Sequence, residues 1–173
     1  MLLATLWRFL HLLFGFSFVG AITLAEWNGR AARATPDWGR RAALWGVVRT
    51  TTQVLGLGAL LLLGIFGNLL AVSMGLPFAG WWMRIVNGLW LVGILLDLLV
   101  ALPVSRTLLS ICESAARAPS EAAGAAEAGS GAQAGGAAAG YAGALVRWRM
   151  ANALLSVFFV LMLLLMVLRP RFR

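Results

Sequence analysis

Lysine is absent from the 173-residue chain, whose fourteen basic residues are all arginine. That excludes a lysine Schiff base, a lysine general base and the phosphate-binding lysine of a P-loop. Histidine and cysteine occur once each, as His11 and Cys112. A lone cysteine forms no intrachain disulfide and no thiolate metal cluster, and Cys112 reads as a buried or interfacial thiol. Any imidazole chemistry must run through His11. Acidic residues are also scarce, six against fourteen arginines, and Asp97 alone lies well inside an apolar run. Metalloprotease, nucleophile-elbow, P-loop and dinucleotide signatures are missing, so the constellations of soluble enzymes have no counterpart here.

What is present is apolar mass. Hydrophobic residues make up 61% of the chain, against about 45–50% in soluble domains. The apolar runs are continuous rather than alternating, which selects membrane helices of roughly 20 residues over barrel strands. Four helices are expected, at about 2–26, 44–73, 81–102 and 145–168. The expected fold is all-α, a polytopic membrane protein whose four transmembrane helices form an antiparallel up-down bundle in a single membrane domain. The first run, Trp7–Trp27, is longer than the apolar core of a secretory signal and reads as a retained helix. Residues 28–41 read as a link with a turn at Pro36-Asp37. Residues 74–80 read as a short uncharged turn that closes a hairpin. Residues 104–144 read as an amphipathic start followed by an Ala/Gly-rich mobile connector.

The arginines flank these helices, as expected of membrane proteins, and do not read as a nucleic-acid surface. Arg30, Arg33, Arg40, Arg41, Arg49, Arg106, Arg117, Arg147 and Arg149 lie at the end with the longer links; Arg8, Arg84, Arg169, Arg171 and Arg173 lie at the other. The positive-inside rule then places the links in the cytoplasm and both termini outside, in the periplasm if the membrane is a bacterial inner membrane. Trp81, Trp82, Arg8 and Arg84 are expected at the lipid-facing interface, with membrane lipids as one partner and further membrane subunits or a second copy of the chain as another.

Polar groups inside the spans are costly and therefore informative. Asp97, low on the third helix, is expected to pair with Arg49, or alternatively with Arg147 or Arg149, as a helix-locking ion pair or as part of an ion path. Asn68 and Asn87 match in depth across the hairpin and are expected to bond to one another. His11 lies roughly 13 Å below the end of the first helix, and Met162 roughly 9 Å below the end of the fourth. His11, Met162 and Met166 could therefore meet. Imidazole and thioether together suit haem iron or copper; the alternative is a structural histidine with methionines as fillers.

Leu10-His11 with Gly15 and Gly20, and the closing Leu161-Met162…Leu165-Met166-Val167 with Arg169-Pro170, resemble bacterial four-helix integral membrane proteins of uncharacterised function. The chain is distantly similar to four-helix membrane protoporphyrinogen oxidases and to copper-resistance membrane proteins, which also place a histidine early in the first helix. The resemblance to the oxidases implies a haem-linked role for His11. Those enzymes also rely on a membrane lysine, for which this chain has no equivalent. The chain is thus expected to be a non-catalytic structural or accessory subunit, or alternatively a haem- or copper-handling protein using His11 with Met162 or Met166.

Overall fold

The computed structural model describes residues 2–78, 80–122 and 130–168. Every regular element among them is helical. Helix α1 runs Leu2–Ala34. Helix α2 is continuous from Trp38 to Ser73 and contains a π-helical stretch at Thr51–Leu57. Helix α3 starts at Trp81, widens into π-helical turns at Asp97–Ala101 and continues as Leu102–Ala122. Helix α4 is Ser130–Leu168.

Four of these helical stretches are long and apolar enough to cross a membrane. At 1.5 Å per residue, the 33 residues of α1 and the 39 of α4 measure about 50 and 58 Å, well beyond a hydrocarbon core of about 30 Å. Exposed large apolar side chains mark where the excess lies. They run from Leu2 to Trp27, Val47 to Val72, Trp81 to Leu99 and Val146 to Val167. Beyond Trp27 and Leu99 the surface turns to arginine and glutamate, with Arg30, Arg106, Glu113 and Arg117 exposed, and before Val146 α4 turns to alanine and glycine. All four helices therefore project past the apolar band at the end opposite the termini.

The projecting end has its own core. Trp45, Val48, Leu108, Cys112, Ala144 and Trp148 are almost fully buried there, together with Tyr141. The Trp45 indole donates to the Tyr141 hydroxyl at 3.1 Å and packs edge-on against Trp148. Gly29 provides room for Trp148, because a Cβ at that position would stand 2.8 Å from the ring. Arg41 closes the joint between α1 and α2. Its guanidinium donates to the carbonyls of Ala32 and Thr35, acceptors that the end of α1 leaves without helical partners. It also stacks over Trp38 and Tyr141. Asp37 caps α2 by accepting from the amides of Gly39 and Arg40 at 3.1 and 3.0 Å.

Several expected boundaries are corrected. Residues 28–34 extend α1 rather than forming a link, and α2 begins at Trp38 rather than near 44. The expected connector is helical over 104–122 and again from Ser130. Alanine favours a helix, and Tyr141 and Ala144 anchor this part of α4 in the core, which offsets the cost of its glycines. Residues 123–129 of the expected connector, and the basic residues Arg169, Arg171 and Arg173, lie outside the described residues.

At the other end, α2 turns into α3 through Gly75, whose φ of +69° is the left-handed conformation that glycine adopts freely. The Leu76 amide reaches back to the Ala71 carbonyl at 3.0 Å, which closes the helix end. Around the bundle α1 packs on α2, the projecting part of α2 on α3, and α3 on α4, while α1 and α4 touch least. That weak seam opens as a groove.

Trp45 is wholly buried at the centre of the projecting core. Trp45→Ala should cost about 3–5 kcal/mol, measured as a large fall in the midpoint of thermal unfolding. Tyr141→Phe, which removes only the acceptor for the indole, should cost about 1 kcal/mol.

Candidate functional site

Four polar side chains of the apolar band, His11, Asn68, Asn87 and Trp90, gather around one face of α2. Gly64 and Gly67 leave its backbone uncovered there. A Cβ on Gly67 would stand 2.9 Å from Cε1 and 3.0 Å from Nδ1 of His11, and one on Gly64 would fall within the Trp90 indole. Through these gaps two rings from neighbouring helices reach the backbone of α2. His11 Nδ1 lies 2.9 Å from the Leu63 carbonyl, and Trp90 Nε1 donates to the Leu60 carbonyl at 2.8 Å. A carbonyl can only accept, so Nδ1 of His11 carries the proton and, in the neutral ring, Nε2 keeps its lone pair.

Asn68 and Asn87 exchange two hydrogen bonds, at 2.9 and 3.1 Å, and Asn68 also donates to the Gly64 carbonyl at 2.9 Å. The amide pair therefore fastens α2 to α3 beside the two rings. Trp7 and Phe14 of α1 stack on Phe66 of α2, with ring centroids 5.8 and 5.4 Å away. Together these contacts bring α1, α2 and α3 into one register.

Between these groups lies a cavity of about 220 Å³. His11, Asn68, Asn87, Met162 and Met166 all stand in its wall. The depth match between the first and fourth helices thus brings the imidazole and both thioethers to one space. Its volume is below the roughly 300–1,000 Å³ of cofactor-sized pockets, so a porphyrin does not fit. A single soft ion fits the donor set better: Nε2 of His11 with the sulfurs of Met162 and Met166.

Two placements differ from expectation. Trp82 is not wholly turned to lipid: half-buried, it lines this cavity and its indole lies 3.4 Å from the Leu165 carbonyl of α4. Neighbouring helical positions diverge by about 100°; Trp81 is the more outward of the two, while Arg8 and Arg84 are exposed. The second difference is Asp97. Among the described residues no ion pair joins it to Arg49, Arg147 or Arg149. Its Oδ2 is buried without a hydrogen-bond partner, as is Nε of Arg49. Register explains the separation. Asp97 faces Gly56, where a Cβ would lie 3.8 Å from Oδ2, and Arg49 is roughly two turns lower on α2.

A polar cluster that sequence reading passed over sits on the α1–α4 seam. Glu26 pairs with Arg30 at 3.0 Å and Arg33 at 3.5 Å and accepts from Asn152 of α4 at 3.2 Å. These groups adjoin a groove of about 700 Å³ that also bears Trp27 and Arg149. The signal was the glutamate within Ala25-Glu26-Trp27, which reads as the end of a span until the helix is known to continue.

Gly67→Ala and Gly64→Ala should both lower thermal stability, Gly64→Ala more, because its added methyl would overlap the Trp90 ring, whereas at Gly67 it would stand 2.9 Å from His11. Gly88→Ala, with nothing within 4 Å of its added methyl, should be neutral or stabilising. In a double-mutant cycle, Asn68→Leu and Asn87→Leu should show a coupling of about 0.6–2 kcal/mol; additive losses would contradict the amide pair. No protein-family model, curated protein or solved structure matches the chain.

Proposed function

We propose that the chain is a non-catalytic integral membrane protein of the bacterial inner membrane. In this reading it is a structural or accessory subunit that packs with copies of itself or with a larger membrane complex. The observation that carries the reading is the use made of His11. The one imidazole in the chain is engaged with the backbone of α2, and the nearby amides and indole are likewise spent on joining helices. These are the bonds of a scaffold. Nine arginines at the projecting end support a cytoplasmic position for it, with both termini in the periplasm.

Native mass spectrometry of the protein extracted in mild detergent tests this. The expected result is a defined oligomer or a stoichiometric complex with another membrane protein. A monomer carrying one equivalent of metal would contradict it.

The shared cavity favours a second reading, in which Nε2 of His11 and the sulfurs of Met162 and Met166 hold one Cu(I) ion. Competition against a chromophoric Cu(I) chelator distinguishes the two. One equivalent bound by the wild type, lost in His11→Ala and weakened in Met162→Leu, supports copper handling. Binding that survives His11→Ala excludes it.

A further inference from the structure

Asp97 presents a different chemistry from the cluster around His11. It is 2% exposed, and its Oδ2 has no partner. It faces a cavity of about 20 Å³ whose wall also includes Thr52, Gly56 and Asn152. That volume holds about one water-sized particle. Two π-helical stretches meet here, Thr51–Leu57 of α2 and Asp97–Ala101 of α3. Where hydrogen bonding shifts from four residues to five, a backbone carbonyl is released from its helical partner, and such turns recur at functional sites.

The available donors are all oxygens. Asn152 gives its amide N–H to Glu26, which leaves its side-chain oxygen available. Thr52 has a hydroxyl with no hydrogen bond among the described residues. Asp97 supplies a carboxylate. Hard oxygen donors with one negative charge suit a monovalent cation: a divalent ion would leave a net positive charge in the same low-dielectric space. No cationic side chain lines the cavity to take that place. Unwound backbone carbonyls beside an acidic group are a recurring way to hold sodium within a membrane. There is also a way in. Asn152 and Ile22 stand in the wall of both this cavity and the open groove between α1 and α4, so the site and the groove share these two side chains.

We propose that Asp97, with Thr52, Asn152 and the released carbonyls of the two π-helical stretches, binds one dehydrated monovalent cation of sodium size. The inference goes beyond the scaffold reading and does not depend on the identity of any partner subunit.

Thermal unfolding of the full chain in lipid nanodiscs, followed by tryptophan fluorescence, tests it. Sodium chloride is titrated against choline chloride at constant ionic strength. Sodium should raise the midpoint saturably, by about 5–10 °C at a hundredfold excess over its Kd. Asp97→Asn should abolish that response, and Thr52→Val should move its midpoint to about tenfold higher sodium. Equal stability in sodium and choline would overturn the proposal. So would a sodium response that persists in Asp97→Asn, or a stability that follows pH alone, which would assign a proton to the carboxylate. Should Asp97→Asn fail to fold, an unchanged sodium midpoint in Thr52→Val would equally overturn it.

Discussion

The rest of the membrane domain depends on the bare backbone of α2 at Gly64 and Gly67. In hydrocarbon, helices gain nothing from excluding water, so they associate through close packing and a few polar bonds. Removing two side chains from α2 permits both at once. The imidazole of α1 and the indole of α3 enter the gaps and donate to carbonyls that already serve the helix itself. A methyl group at either glycine would collide with a ring, so the ring or the helix that carries it would have to shift.

The same device recurs with different partners. Gly29 admits Trp148, and Gly93 admits Phe158, where a Cβ would meet the ring at 2.8 Å. Small residue against aromatic ring is thus how this chain aligns helices that have few charges to pair. The projecting end, where Gly29 and Trp148 lie, adds a second contribution. There the solvent is water, and the buried aromatic cluster of Trp45, Tyr141 and Trp148 supplies apolar burial in the ordinary sense. Arg41 completes this end by closing the last turn of α1 while lying over the Trp38 and Tyr141 rings.

The number of spans was legible because a run of about 20 apolar residues has few alternatives. The Asn68–Asn87 bond was legible because a short turn fixes the relative depth of two helices. The extension of the helices past the membrane was not. Residues 28–34 are rich in arginine and alanine, and 130–144 in alanine and glycine, compositions shared by solvated helices and by flexible links. Only burial of Ala32, Tyr141 and Ala144 decides between them. Nor was the fate of Asp97 legible, since spacing along an ideal helix takes no account of π-helical turns. The depth of His11 could be read from the chain, but its direction toward the Leu63 carbonyl depends on the packing angle of α1.

His11 being the sole histidine makes its bond directly observable. Selective nitrogen-15 labelling of histidine gives one imidazole in the NMR spectrum of the membrane-embedded protein. A donor to the Leu63 carbonyl requires a proton on Nδ1, coupled across the hydrogen bond and slow to exchange with deuterium. An Nδ1 without a proton, or a proton averaged rapidly between the two nitrogens, would contradict a histidine fixed on the backbone of α2.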